Sequence, residues 1–238
     1  MKTRVHTEER SAAELPTALA HDIATRLQAA IQDRGRALLV VSGGKSPVAL
    51  FEALRMLPIA WHQVTITLAD ERCVPNTHAD SNALLVRTHL LQDLASTARL
   101  VPMIADAMPL RSPAQMAAQA TTSLRGLGDA DVLVLGMGTD GHTASLFPDA
   151  PNLPLAMDLM QAPACVAIEL KDPPANAPYA RITQNLSMLL RARHIVLPIS
   201  GTDKLSVLAS AKATPSLALP VSIILHQDHA SVTLWLSP

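Results

Sequence analysis

The stretch VLVLGMGTDGHTASLFP, residues 132–148, runs from four apolar residues into a glycine-rich loop. A short apolar run that ends in glycines is typical of a buried strand in a parallel sheet, followed by a tight turn. The turn carries Asp140 and His142, and the imidazole of histidine is suited to proton transfer near neutral pH. The stretch therefore predicts an α/β sheet with a functional loop at the carboxyl end of one strand.

The remainder of the chain alternates short apolar runs with segments of helical periodicity. We predict strands over residues 36–41, 64–69, 130–135, 166–170, 195–199, 221–225 and 232–236. We predict helices over residues 11–34, 113–125, 181–190 and 201–211, with two more that begin near Pro47 and near Ser81 or Asn82. Because no linker-like segment interrupts the alternation, the sequence predicts one α/β domain, residues 1–238, with a mostly parallel sheet.

Composition narrows the classes of partner. Hydrophobic residues make up 49% of the chain, enough for a sizeable core, but aromatic residues only 2%, so aliphatic side chains must fill that core. The formal net charge of −1 argues against binding to nucleic acid or to an acidic membrane surface. An anionic ligand therefore requires a local cluster of cationic side chains and backbone N–H groups.

The amino-terminal residues, the length of the apolar runs and the cysteines indicate where in the cell the protein is expected. The amino-terminal residues are charged and lack the apolar segment of a signal peptide, and no apolar run reaches the roughly 20 residues of a membrane helix. Cys73 and Cys165 match no metal-binding spacing and are typical of buried thiols in a reducing compartment. These features predict a soluble, cytoplasmic protein.

Four polar or glycine-rich loops follow predicted strands. They are SGGKSP (42–47), DERCVPNTHADSN (70–82), GMGTDGHTASLFP (136–148) and GTDK (201–204). Ligands of open parallel sheets bind beyond the carboxyl ends of the strands, so we expect these loops to border one crevice.

The third loop also contains the G-x-G-x-x-G pattern of dinucleotide-binding proteins, at Gly136, Gly138 and Gly141. That pattern normally lies in the first strand–turn–helix unit and leads into a long helix. Here it lies past the midpoint of the chain, and Pro148 follows Gly141 by only seven residues. The context therefore argues against a nicotinamide or flavin cofactor.

Several residues are candidates for holding an anion. In SGGKSP, two glycines allow backbone N–H groups to approach a ligand closely. The alternative interpretation of these residues is an ordinary tight turn between a strand and a helix. Arg72 is suited to bidentate contact with a phosphate, and the alternative for DER is a solvated charge cluster on a loop. Arg181 and Lys204 are further cations that, taken singly, are also compatible with surface salt bridges.

His142 is the strongest candidate for acid–base chemistry among the nine histidines. Asp140 is placed to orient the imidazole or to form an Asx-turn, and a loop histidine bonded to a carbonyl is the alternative. His226 and His229 resemble a metal-binding pair, but we place them in a turn between two strands, and zinc requires more ligands. No metal site and no G-x-S-x-G nucleophile elbow is predicted.

Taken in order, SGGKSP, DERCVPNTHADSN and LGMGTDGHTASLFP resemble the 6-phosphogluconolactonase family. PPANAPYARIT, which ends at Thr183, is similar to a later proline-rich stretch of that family. The resemblance covers residues from about 40 to about 204. It implies a Rossmann-like three-layer fold shared with glucosamine-6-phosphate deaminases. It also implies hydrolysis of a small sugar-phosphate lactone, 6-phospho-D-glucono-1,5-lactone, without a nucleotide cofactor or a required metal.

The resemblance also assigns expected roles. His142 is the general base for a water molecule, Asp140 positions the loop or the imidazole, and Asp70 helps to orient substrate or water. The residues expected to hold the phosphate are Ser42, Gly43, Gly44, Arg72, Arg181 and Lys204, with Lys45 as an added charge. Lys45 departs from the small hydroxyl residue that is usual in this loop, so its role stays open. A monomer or weak homo-oligomer is expected.

Two alternatives remain. The deaminase branch has an acidic residue immediately before the proline of the DGH loop, where this chain has Phe147, which cannot transfer a proton. A non-catalytic sugar-phosphate sensor normally carries a DNA-binding segment, whereas the first 35 residues predict one amphipathic helix and no helix-turn-helix.

Overall fold

The computed structural model describes residues 5–105, 112–168, 170 and 178–238. The first residues of the predicted proline-rich stretch, 173–177, lie outside these ranges. The strands are β1 (Val5–Glu9), β2 (Ala37–Val41), β3 (Val64–Leu68), β4 (Asp70–Arg72), β5 (Arg99–Leu100), β6 (Val132–Val134), β7 (Cys165–Ile168), β8 (Arg181–Gln184), β9 (His194–Ser200) and β10 (Ser231–Ser237). The helices are α1 (Leu15–Arg34), α2 (Val48–Leu54), α3 (Asn82–His89), α4 (Pro113–Arg125), α5 (Leu153–Ala156), α6 (Leu186–Leu189), α7 (Thr202–Ala213) and α8 (Pro220–His226).

Seven strands form a central sheet in the order β1-β10-β9-β6-β2-β3-β5, and all of their pairings are parallel. A smaller sheet, β4-β8-β7, is antiparallel. The predicted α/β class with a mostly parallel sheet is confirmed.

Alternation along the central strands creates two apolar layers. In β2, Leu39 and Val41 face one core cluster, whereas Leu38 and Val40 face the other, because successive side chains of a strand point to opposite sides. Helices α1 to α4 contribute to the first cluster and α5 to α8 to the second. The sheet is therefore covered on both faces, which explains why inner strands such as β2 and β6 are apolar without alternation.

The strand order places the glycine-rich loops together. From β2 the chain proceeds through β3 to β5 on one side, and β6, β9 and β10 lie on the other side. Such a reversal opens a crevice between the loops that leave the two central strands. Here those loops follow β2 and β6, and the Ser42 N–H donates to the Val134 carbonyl across the junction, at 3.0 Å.

Two predicted elements are wrong. Residues 181–190, predicted as a helix, begin with strand β8, in which Ile182 is fully buried between β4 and β7. Only one helical turn follows, and the Asn185 side chain accepts a hydrogen bond from the Met188 N–H at its start. Residues 221–225, predicted as a strand, lie in helix α8, which begins at Pro220, a residue that suits the first helical turn.

These corrections change two local interpretations. His226 is the last residue of α8 and its Nδ1 lies 2.8 Å from the Ser222 carbonyl oxygen, so it does not lie in a turn between two strands. The DER segment, predicted as a loop, forms strand β4. Strands β1 and β5 were not predicted, because β1 is polar and largely exposed and β5 has only two residues.

Candidate active site

The loops after β2, β6 and β9 and the small sheet border a cleft with a volume of about 340 Å³. Eight of the ten residues predicted for the site line it: Ser42, Gly43, Gly44, Asp70, Arg72, His142, Arg181 and Lys204. Asp140 lies behind His142 and contacts it. Lys45 is exposed and is not among the described residues that line the cleft.

The His142 imidazole is held by Asp140. Nδ1 of His142 lies 2.6 Å from Oδ1 of Asp140, and the His142 backbone N–H donates to the same oxygen at 3.1 Å. Burial alone raises the pKa of Asp140, but the hydrogen bonds and the charge of His142 outweigh it, and the pKa lies below its usual value. The carboxylate therefore stays ionised at neutral pH, and a carboxylate partner favours the tautomer with the proton on Nδ1.

Gly138 makes this arrangement possible. A Cβ at this position would overlap the His142 ring and Oδ1 of Asp140. The Gly138 N–H also donates to the His142 carbonyl, at 2.9 Å, so the loop folds back tightly on itself.

Phe147 packs between the base and a cation. Its ring centroid lies 4.3 Å from that of His142 at an interplanar angle of 36°, and the Arg181 guanidinium carbon lies 6.0 Å from the ring centroid. These distances are within the range of favourable ring and cation–π contacts. The phenylalanine thus limits the movement of the imidazole on the cleft side.

Two guanidinium groups form the opposite part of the cleft. Arg72 and Arg181 are direct partners in the antiparallel pairing of β4 and β8. Burial lowers the pKa of Arg181, and the positive charge of Arg72 lowers it further, against the effect of Asp70, Asp80 and Glu71. Two adjacent cations, the buried Arg181 and the half-buried Arg72, with Lys204 nearby are suited to a doubly charged anion such as a phosphate group.

Three buried polar atoms at the cleft have no hydrogen-bond partner among the described residues: Oγ of Ser42, Nε of Arg72 and Oδ1 of Asn82. The Asn82 NH₂ group donates to the Asp70 backbone carbonyl at 2.8 Å, which fixes Oδ1 toward Gly43. A Cβ at Gly43 would overlap that amide. Buried polar groups are rarely left unpaired, so these atoms are suited to a polar ligand.

Asp70 has a partner that the sequence did not indicate. The Ser145 hydroxyl donates to Oδ2 of Asp70 at 2.6 Å, and both side chains line the cleft. Asp70 and Arg72 share one face of β4, because residues two apart in a strand point the same way.

Glu71, between them, points away from the cleft and is fully buried. Its carboxylate accepts hydrogen bonds from the backbone N–H groups of Arg72, Asn82 and Ala83 and from the Ser81 hydroxyl, at 2.7 to 3.0 Å. Burial raises the pKa of this carboxyl, and the four donors oppose that shift. Glu71 thereby attaches the start of α3 to β4, next to the two arginines.

Sequence reasoning missed Glu71, Asn82 and Ser145 as site residues. Their partners lie 11, 12 and 75 residues away along the chain, so no local motif reveals the contacts. The only available signal was that Asn82 and Ser145 lie within loops already assigned to the crevice.

Comparison with known proteins agrees with the geometry. The family model described as glucosamine-6-phosphate isomerases/6-phosphogluconolactonase matches residues 10–235. The 6-phosphogluconolactonase of Pseudomonas putida is 46% identical over 224 residues, covering 94% of this chain and 89% of the relative. A crystal structure of a 6-phosphogluconolactonase from Shewanella baltica has a TM-score of 0.87 and 40% identity, covering 100% of this chain and 98% of that one.

A second crystal structure, of a putative 6-phosphogluconolactonase from Neisseria gonorrhoeae, has a TM-score of 0.89 and 38% identity, covering 99% of this chain and all of that one. Similarity in sequence and in fold therefore extends over most of the chain. The chain belongs to the glucosamine-6-phosphate isomerase/6-phosphogluconolactonase family.

Proposed function

We propose that this protein hydrolyses 6-phospho-D-glucono-1,5-lactone to 6-phospho-D-gluconate, the lactonase step of the oxidative pentose phosphate pathway. The observation that carries the proposal is one cleft with an aspartate-bound histidine on one side and two paired arginines on the other. Relatives that bear the name 6-phosphogluconolactonase at 40% to 46% identity support it.

The phosphate is held by the cationic part of the cleft. Arg72 and Arg181 supply charge and directional donors, and Lys204 adds a third cation at the start of α7. Ser42, Gly43 and Gly44 supply the hydroxyl and backbone N–H groups of the loop after β2. Lys45, which is exposed, contributes only through its charge.

His142 acts as the general base. With Nδ1 directed to Asp140, Nε2 is the nitrogen that accepts a proton from water, and the resulting hydroxide adds to the lactone carbonyl carbon. The tetrahedral intermediate then collapses, the bond from that carbon to the ring oxygen breaks, and the ring oxygen takes the proton from the imidazolium. Asp140 positions the imidazole, and Asp70 orients substrate or water.

The reaction consumes only the lactone and water. A δ-lactone is an activated ester, and one positioned base contributes about 10²–10⁴-fold to such a reaction. The proposal therefore includes no cofactor, metal or serine nucleophile.

We also propose one domain over residues 1–238 and a cytoplasmic protein, a monomer or weak homo-oligomer, without nucleic-acid or membrane partners. The proposal of one domain is supported because both core clusters pack against the same central sheet. The free thiols of Cys73 and Cys165 are compatible with a reducing compartment. Among the described residues, no helix has the length and apolar character needed to cross a membrane.

A pH-stat assay with freshly generated lactone tests the function, scored against spontaneous ring opening. We expect His142→Ala to lose about 10²-fold or more in kcat with little change in phosphate-ligand binding, because the cationic part of the cleft is intact. Arg72→Ala should mainly raise KM. His229→Ala, at an exposed histidine in a turn, is the control. Wild-type turnover by His142→Ala contradicts the assigned base.

A parallel ammonia assay with glucosamine 6-phosphate tests the deaminase. Phe147 has no proton to transfer at the position where a deaminase has its acid, so no ammonia release is expected. Tight binding of sugar phosphates without any turnover would instead support a regulatory module.

A further inference from the structure

We propose that Ser145 is a positioning residue that acts through the Asp70 carboxylate, an inference that rests on the lactone hydrolysis proposed above. The evidence is a hydrogen bond within the cleft, a second attachment of Ser145 to the small sheet, and the shape of the turn that joins Ser145 to His142.

The hydrogen bond is short and shielded from solvent. The Ser145 hydroxyl donates to Oδ2 of Asp70 at 2.6 Å, and the exposed fractions of the two residues are 0% and 6%. Hydrogen bonds from a hydroxyl to a carboxylate are among the stronger ones, especially away from water. The serine thus fixes the rotation of the carboxylate and leaves Oδ1 to meet substrate or water.

Ser145 is itself fixed from a second direction. Its backbone N–H donates to the Thr183 hydroxyl at 3.3 Å, and Thr183 is the direct partner of Asp70 in the pairing of β4 and β8. The carboxylate and the serine are therefore attached to the same pair of strands, which keeps their separation constant.

The turn between His142 and Ser145 is constrained as well. Ala144 has a φ of +48°, in the left-handed region that alanine rarely adopts, and the Thr143 hydroxyl donates to the Gly136 carbonyl at 2.8 Å. The hydrogen bond to Asp70 therefore secures the far end of the segment that carries the base. Ser145 links the two catalytic parts, the carboxylate on β4 and the imidazole on the loop.

Loss of the hydroxyl has a defined chemical consequence. Burial lowers the pKa of the Arg181 guanidinium, and the negative charge of Asp70 lies close enough to oppose that shift. Without Ser145 Oγ, the carboxylate is free to rotate toward that cation. It then no longer presents Oδ1 in the orientation required for substrate or water, and it competes with the phosphate group for the guanidinium.

A double-mutant cycle tests the coupling: Ser145→Ala, Asp70→Asn and the double variant, each assayed for kcat and KM on the lactone. We expect Ser145→Ala to lower kcat/KM by roughly 10- to 100-fold, the effect of one hydrogen bond to a charged group. The loss should fall in the same parameter, kcat or KM, that Asp70→Asn affects. In the Asp70→Asn background the serine substitution should cost no more than about 3-fold.

A purely structural role predicts a different pattern, in which the two losses multiply and the affected parameters differ. That pattern, or an unchanged Ser145→Ala variant in an active protein, overturns the proposal. Ser145→Cys, with a weak S–H donor of similar shape, should lie between serine and alanine and serves if the alanine variant folds poorly.

Thr233→Val is the control, because it removes another buried hydroxyl, bonded to His194 near the start of β10. It should leave kcat/KM within about 2-fold of wild type, and thermal unfolding of every variant checks the fold. If the wild-type protein shows no turnover above the spontaneous rate, the proposed function itself is contradicted. If the wild-type protein is active and Ser145→Ala is equally active, only the role proposed for Ser145 is contradicted.

Discussion

At the scale of single residues, the cleft depends on positions where a side chain is excluded. Gly138 and Gly43 each adjoin a functional side chain so closely that a methyl group does not fit. At Gly138 the excluded volume is taken by the Asp140–His142 pair, and at Gly43 by the Asn82 amide. Gly138, one glycine of the dinucleotide-like pattern, therefore serves the geometry of an acid–base pair.

Gly138→Ala tests this at the base. The added methyl group must displace the imidazole or the Asp140 carboxylate, so we expect kcat to fall roughly 10- to 100-fold, part of the contribution of a general base. KM should change little because the arginines are untouched. The measurement is steady-state lactone hydrolysis, with folding checked by circular dichroism.

Gly126→Ala is the matched control for that substitution. Gly126 ends α4 with a φ of −77°, and nothing lies within 4 Å of a Cβ built there. Alanine adopts that backbone conformation without strain. If Gly138→Ala retains full kcat, the close packing around His142 does not matter for turnover.

At the scale of elements, β4 and α3 work as one unit because Glu71 joins them. The carboxylate occupies the N–H groups of the first two residues of α3, so this helix start binds the protein's own anion. The same contact holds Asn82 and Arg72 at the edge of the cleft. A buried carboxylate that faces away from the cleft thus determines where two side chains that line the cleft lie.

Glu71→Gln should therefore affect stability and binding together. The glutamine NH₂ group has the shape of the missing oxygen but turns a donor toward at least one backbone N–H group, which cannot accept a hydrogen bond. We expect the free energy of unfolding in urea to fall by at least about 2 kcal/mol and KM to rise. Glu52→Gln, at a partly exposed carboxylate beside His89, should stay within about 0.5 kcal/mol of wild type. Equal stability of the two variants contradicts the role of Glu71.

The elements also show how far the sequence was informative. Helix α4 was predicted with its observed bounds, because it is long and begins at a proline, which suits the first helical turn. Strand β8 was predicted as part of a helix, and helix α8 was predicted as a strand. Short apolar runs do not distinguish a buried strand from a buried helical turn. Strand β4 is recognisable only from β8, its partner more than a hundred residues away.

The candidate site was predicted to a similar extent. The four loops were correctly placed around one crevice, because the carboxyl ends of parallel strands share one edge whatever the strand order. The partners within the crevice were not, since the contacts of Ser145 with Asp70 and of Arg72 with Arg181 depend on the small antiparallel sheet. That sheet itself was not predicted.

At the scale of the whole molecule, a titratable group that affects stability lies at the amino-terminal ends of the central strands, opposite the cleft. His194, at the start of β9, is 6% exposed. Its Nδ1 lies 2.7 Å from Oγ of Ser231, and its Nε2 lies 3.1 Å from Oγ1 of Thr233. Burial lowers its pKa to about 4, and the charge of Arg26 acts in the same direction while Asp22 opposes it. The folded protein therefore holds this imidazole neutral.

This lowered pKa gives the unfolding free energy a defined pH dependence. As the pH falls, the unfolded chain binds a proton at His194 near the ordinary value of about 6.5, well before the folded protein does. Stability is fully present above that value and is lost as the pH falls from about 6.5 toward 4. Between pH 7.5 and pH 5 we expect His194 alone to account for a loss of roughly 2 kcal/mol.

Urea unfolding of wild type and His194→Gln at several pH values between 5 and 7.5 measures this contribution. Glutamine is able to keep hydrogen bonds to both hydroxyl groups but does not titrate, so its unfolding free energy should fall less steeply with decreasing pH. His21→Gln, at an exposed histidine of α1, should keep the wild-type slope. Parallel slopes for wild type and His194→Gln would mean that the folded protein accommodates a charged His194. Because this group lies at the opposite edge of the sheet from the cleft, the loss of stability should occur without a matching change in KM.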